Sequence, residues 1–215
     1  MPSTLVHVAL AALLVAALLP DDSFDRRAVA VAAGSTVLPD LDVFFGSVIT
    51  GAHRSLGHTL LLPGLLALGL AVDLRREEPL VRRLAGPAGG AVAAAGLFAM
   101  TVAGIGLDYV VNGVNLFWPI HDQFFAANGR VVISNQRGLV QTFVELTPEP
   151  PGDGGGGGPP RTTENTHYST GVDPQRGAES TNVERLFPVV RTGWQLLLLV
   201  GSVVVVTARL WLADR

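Results

Sequence analysis

Five apolar stretches, at residues 5–19, 28–45, 59–72, 86–111 and 194–212, constrain this chain more than any other feature. A helix that crosses the hydrocarbon core of a bilayer needs roughly 20 apolar residues. The fourth and fifth stretches reach that length outright, while the first three are short or polar-tipped and are expected to pack as a group. In lipid the backbone must satisfy its hydrogen bonds internally, and segments of this character do so as helices. The expected fold class is therefore all-α: a polytopic helical membrane protein with about five transmembrane helices and a long, partly disordered outer loop. Composition agrees, since 48% hydrophobic residues, 15% charged residues and a mean hydropathy of +0.41 do not suit a water-solvated surface. The first stretch reads as a retained helix rather than a signal peptide. No Arg or Lys stands in residues 1–6, and no small-x-small cleavage site precedes Asp21.

Charge and cysteine content exclude several functions. A net charge of -3, with basic residues that are all Arg and spread in ones and twos, offers no surface for nucleic acid. With no Cys there is neither a disulfide framework nor a thiolate ligand or nucleophile, so a metal would be held by imidazole and carboxylate.

Three regions are expected: a helical membrane core over 1–125, a polar loop over 126–188 and a C-terminal transmembrane helix over 189–215. Within the loop, 147–160 contains five consecutive Gly flanked by Pro and reads as a flexible linker, because such a run buries too little to offset its ordering entropy. Residues 161–185 read as surface loop. The connections holding Arg26 and Arg27, then Arg75, Arg76, Arg82 and Arg83, and the C-terminal end with Arg209 and Arg215, belong in the cytoplasm by the positive-inside rule. The N-terminus, the turn at 46–58 and the long polar loop then lie outside.

This topology gathers the titratable residues on the outer face. His7 lies near the outer end of the first span, Asp40 and Asp42 near that of the second, His53 and His58 in the outer turn, and Asp108 at the end of the fourth, with His121 and Asp122 just beyond. Asp73 stands at the opposite end beside Arg75 and Arg76, where an interfacial ion pair accounts for it. Ionisable groups within spans are expensive and default to a functional reading when they have partners. Each also has an ordinary reading: His7 as a core histidine on a backbone carbonyl, the aspartates as solvated helix ends, Asp108 as a cap, and His121 and His167 as surface residues. Asp40 and Asp42, two apart, point to nearly opposite sides of an unbroken helix and can share a site only if Pro39 disturbs it. His53 and His58 diverge on a regular helix, but a turn containing Gly57 can fold them together. Taken together, imidazole and carboxylate suit zinc or another borderline divalent ion, and hydrolysis is the natural chemistry.

The same residues resemble the YdjM-like membrane-bound metal-dependent hydrolases. The likeness runs through Met1-Pro-Ser-Thr-Leu-Val-His7, then Pro39-Asp40-Leu41-Asp42, then His53-Arg54-Ser55-Leu56-Gly57-His58-Thr59, which is similar to that family's H-R-G-x-T-H-S. It continues through Asp108 and Asn112-Gly113-Val114-Asn115-Leu116-Phe117-Trp118-Pro119, and covers roughly the first 125 residues. The resemblance implies a helical membrane protein with the matched His and Asp residues around a divalent ion. One departure is that the family usually has a His four residues before the aspartate of the fourth helix, where this chain has Gly104. His121 or His167 would then substitute, or the site binds metal more weakly or has lost catalysis.

The function expected is an outward-facing, zinc-dependent hydrolase acting on an ester or phosphoester, with a small molecule or membrane lipid as substrate. His7, His53, His58 and Asp108 would be metal ligands, and Asp40 or Asp42 a further ligand or the group that orients water. His121 is a possible additional ligand, and Arg54 would neutralise an anionic substrate. The alternatives are a non-catalytic protein whose metal ties helix ends together and an ion or proton transporter.

Overall fold

A computed structural model describes residues 3–127, 129, 131–136, 138–141, 160–168, 170–172 and 185–213. Most of the linker expected at 147–160, namely 147–159, lies outside the described residues, as does 173–184. The molecule is mostly helical, with 59% helix. Seven α-helices are described: α1 (Thr4–Leu18), α2 (Arg26–Asp40), α3 (Leu61–Leu74), α4 (Leu80–Ala85), α5 (Gly89–Ala99), α6 (Leu107–Val111) and α7 (Gly193–Ala213). A 3-10 segment, Leu41–Ser47, extends α2, and a π-helical segment, Met100–Gly106, joins α5 to α6. Among the described residues, three continuous helices are long and apolar enough to cross a membrane: Arg26–Ser47, Gly89–Val111 and Gly193–Ala213. The first and third of the five expected spans are shorter apolar helices of 15 and 14 residues. The small sheet is a two-stranded antiparallel hairpin, β1 (Val131–Ser134) with β2 (Gly138–Gln141), so sheet structure among the described residues is confined to the polar loop over 126–188.

Local chemistry accounts for the ends of these elements. Asp25 caps α2 by accepting from the Ala28 amide at 2.8 Å, satisfying one of the donors that a helix N-terminus leaves over. Asp73 does more than the expected ion pair with Arg76, 3.6 Å away. Its two oxygens also accept from the amides of Leu80 and Val81 at 3.0 and 2.9 Å, and so start α4, a helix within what reads in sequence as an arginine-rich loop.

The helices pack through small side chains. α1 lies against α2, α5 and α7, and the seam is built from Ala11, Ala28, Ala32, Ala95, Ala99 and Ala103. In lipid there is no water-driven force between apolar helices, so alanines that let backbones approach closely are what the contact needs. Leucines and valines of α3 and α7, among them Leu65, Leu68, Leu197 and Val204, point outward. At the far end of the bundle Arg209 of α7 donates to the Leu19 carbonyl and to Asp21 at 3.1 Å, and lies over the Phe24 ring. At the near end Ser3 donates to the Val189 carbonyl at 2.5 Å. The start of α1, the ends of α2 and α6 and the start of α3 therefore share the near end.

Candidate metal centre

Asp42 organises the near end. Pro39 is accommodated in the last turn of α2, and the backbone tightens to 3-10 geometry from Leu41. This turns the Asp42 carboxylate into the fold, where it is 2% exposed. Its Oδ1 lies 2.8 Å from His53 Nδ1; its Oδ2 accepts from the amides of Arg54 and Gly57 at 3.0 and 3.1 Å and lies 2.9 Å from His58 Nδ1. One carboxylate thereby holds the whole turn 53–58 against α2. The close approach explains Gly57, since a Cβ there would stand 2.2 Å from the Pro39 carbonyl oxygen. Arg54 holds a left-handed backbone conformation, φ 69°, a strained state for a non-glycine residue of the kind found at functional sites.

A carboxylate only accepts, so His58 carries a proton on Nδ1 and turns Nε2 toward the bundle. There Nε2 lies 3.2 Å from Asp108 Oδ2 and 3.5 Å from Asp40 Oδ1, within ion-pair distance of both yet aligned for a hydrogen bond with neither. Asp40 is turned by Thr4, which donates to its Oδ2 at 2.6 Å. Asp108 is held by Arg54, whose guanidinium donates to Oδ1 at 2.5 Å, and His7 Nε2 stands 3.6 Å from the same oxygen. His7, Asp40 and Asp108 each offer a ligand atom within 4.8 Å of the other two. The π-helical segment just before α6 changes the rotation per residue ahead of Asp108, and such segments recur at functional sites.

These residues fit a divalent cation. The donors are imidazole and carboxylate, their atoms lie within 4.8 Å of one another, and the neighbouring His58 Nε2 is buried without a hydrogen-bond partner. Buried polar atoms of this kind call for an explanation, and an ion is one. Burial disfavours a charge on His58, but the Asp42 carboxylate, together with Asp108 and Asp40, outweighs it and holds the ring's pKa well above the usual histidine value. The cluster thus attracts a positive charge, either a proton or a metal, at Nε2.

The sequence-expected residues divide into groups. His7, Asp40 and Asp108 lie together, with His58 Nε2 beside the two carboxylates; Asp42 and His53 form the neighbouring clamp, which also holds His58 Nδ1. Arg54 is completely buried and spends its charge on Asp108. His121 is exposed, 3.1 Å from Gln123 Oε1 and beside the Phe125 ring, and His167 is also exposed. Gly104 faces α2 at Thr36 and Pro39, where a Cβ would make ordinary contacts at 3.6 to 3.8 Å. Thr4 and Asn115 lie in the family-like stretches and Tyr168 lies beyond them, but the sequence assigns none of the three a role at the site, because a lone hydroxyl or amide carries no recognisable spacing.

Apolar helices with a buried His/Asp cluster at one end define a helical membrane protein with a candidate metal centre. The chain belongs to the YdjM inner membrane protein family, whose model matches residues 1–168. No curated protein and no solved structure matches it.

Proposed function

We propose that the chain is a membrane-bound, metal-dependent hydrolase, with zinc the natural ion for its donors. The observation that carries this reading is the group His7, Asp40 and Asp108, whose ligand atoms lie within 4.8 Å of one another, beside His58 Nε2, which lies within ion-pair distance of both carboxylates. A divalent ion there supplies Lewis acidity, acidifying water and polarising a phosphoryl or carbonyl oxygen. The chain's own residues do the rest. Asp42 fixes the tautomer and direction of His58, the carboxylate–histidine arrangement that tunes a ligating ring. Arg54 neutralises Asp108. Asp40 is 19% exposed at its side chain, whereas Asp42 and Asp108 are closed off, which supports Asp40 as the group that takes the proton from attacking water.

The substrate class is an ester or phosphoester, reached from the membrane interface. The arginine-rich connections at the far end favour a cluster that faces outward. Arg26–Ser47 and Gly89–Val111 both end at the cluster, so the chain between them must return across the bilayer. α3 is the apolar helix available for that return, and α1 enters from the same end, which supports five passages in all. A second reading, a metal that only ties helix ends together, is favoured by the near-complete burial of His7, His58 and Asp108. Transport is disfavoured, because the packed cluster between the two ends is apolar and mostly alanine.

The test is metal analysis of the purified full chain, followed by hydrolysis of a panel of generic esters and phosphoesters with and without chelator. Bound zinc with chelator-sensitive turnover is expected. Bound metal without turnover selects the second reading, and loss of neither metal nor turnover in Asp108→Ala rejects the site.

A further inference from the structure

The sequence reads residues 161–185 as surface loop, yet 161–168, within the described part of that region, is laced to the wall of the cluster. Thr163 donates from its amide and hydroxyl to Asp122 at 3.1 and 2.6 Å, and Asp122 also accepts from Asn115 Nδ2 at 2.6 Å. The Arg161 carbonyl accepts from the Phe124 amide at 2.8 Å. The segment lies close on the turn that carries Arg54: a Cβ on Gly51, φ +64°, would stand 2.6 Å from the Thr163 carbonyl oxygen.

What this lacing delivers is Tyr168. Its ring lies under the Arg54 guanidinium, 4.5 Å from Cζ to centroid. Its hydroxyl donates to the Asn112 carbonyl at 2.8 Å and takes a hydrogen bond from Arg161. Arg54 itself donates to Asp108 Oδ1 at 2.5 Å and to the Gly113 carbonyl at 3.3 Å, a carbonyl that the Tyr168 hydroxyl also reaches at 3.3 Å, while its Nε has no partner. A guanidinium with an unmet donor attracts water, and water admitted here would compete with Asp108 for the charge. An aromatic face offers a desolvated cation its negative quadrupole without supplying a competing acceptor. The stretch matched by the family model runs as far as this tyrosine.

We propose that Tyr168 is a positioning residue of the His/Asp cluster. Its ring seals Arg54 from water, which keeps the guanidinium on Asp108 Oδ1 and leaves Oδ2 turned to His58. The proposal rests on the metal reading given above. It is tested in the full chain in detergent with Tyr168→Leu and Tyr168→Phe, using cobalt(II) as the probe. Three quantities are measured: cobalt affinity with its visible spectrum, phenylglyoxal labelling of Arg54 mapped by peptide mass, and the midpoint of thermal unfolding. Y168L is expected to bind cobalt about 10-fold more weakly, the usual loss when a supporting residue behind a ligand is removed. It should also shift the cobalt spectrum and expose Arg54 to the reagent. Y168F keeps the ring and should restore the affinity, the spectrum and the protection of Arg54, with the thermal midpoint showing that each variant is folded. Should Y168L fail to fold, Tyr168→Met retains more volume without a π face and must show the same losses. Equal losses in the Phe and Leu variants would assign the effect to the hydroxyl's anchoring of the loop and overturn the proposal. Wild-type affinity and an unlabelled Arg54 in Y168L overturn it while leaving the metal reading intact. Wild-type protein that takes up no cobalt overturns both.

Discussion

Asp42 accepts from two amides and faces two imidazoles while 2% exposed, so a neutral replacement strikes several interactions at once. Breaking a buried charge pair by removing one partner costs about 3–5 kcal/mol. Asp42→Asn is expected to lower the thermal midpoint by the equivalent of that loss and to weaken metal binding by roughly 10- to 100-fold, because His58 is no longer held. Calorimetric titration and thermal unfolding read both effects, and an asparagine variant with unchanged metal affinity would remove Asp42 from the site. His58 adds a pH dependence. Its folded pKa is raised above the unfolded value of about 6.5, so in metal-free protein its contribution to stability is complete below that value. The contribution is lost as pH rises through the folded pKa. Metal affinity must run the opposite way, growing with pH until the ring no longer holds the competing proton. Chelated protein should therefore unfold more easily as pH rises above neutral, and the stabilisation produced by added metal should grow over the same window. The sequence marks these ionisable residues because they stand out against apolar surroundings. It does not mark Thr4, whose one bond to Asp40 is legible only once α1 and α2 are side by side.

At the scale of elements, two glycines make a contrast. Gly57 is pressed onto the Pro39 carbonyl, and a methyl group there has no room. Gly57→Ala is expected to cost at least the roughly 1–3 kcal/mol typical of overpacking and to weaken metal binding by displacing His58. Gly104 has only ordinary contacts for an added Cβ, and in a helix alanine is favoured over glycine by about 1 kcal/mol. Gly104→Ala should therefore fold as well as wild type or better. A thermal midpoint that falls more in Gly104→Ala than in Gly57→Ala would contradict the packing described. The long apolar helices are legible as hydropathy. The π-helical segment before Asp108 and the six-residue α4 are not, since the first depends on packing against α2 and the second on capping by Asp73.

At the scale of the whole molecule, the two ends of the bundle do different work. The near end gathers the His/Asp cluster, and the far end ties α7 to the α1–α2 connection through Arg209, Asp21 and Phe24. α7 lies beyond the matched stretch of the family model and contributes no residue to the described cluster. Arg209→Ala is therefore expected to lower the thermal midpoint while leaving cobalt affinity within about twofold, because interactions at well-separated sites add independently. A large loss of affinity in that variant would show that the two ends are coupled.

The sequence alone determines the solvent of this protein, the helical character of its core and the identity of most of the cluster. Each of these follows from local chemistry: apolar runs that must satisfy their own backbone, and charged side chains that an apolar segment does not carry without partners. Tertiary structure alone decides how the cluster is divided, with Asp42 clamping the turn and Asp40 and Asp108 facing His7 and the far nitrogen of His58. It alone brings Tyr168 beneath Arg54. Those arrangements join residues far apart along the chain, and such distances are set by the packing of helices rather than by any periodicity in the sequence.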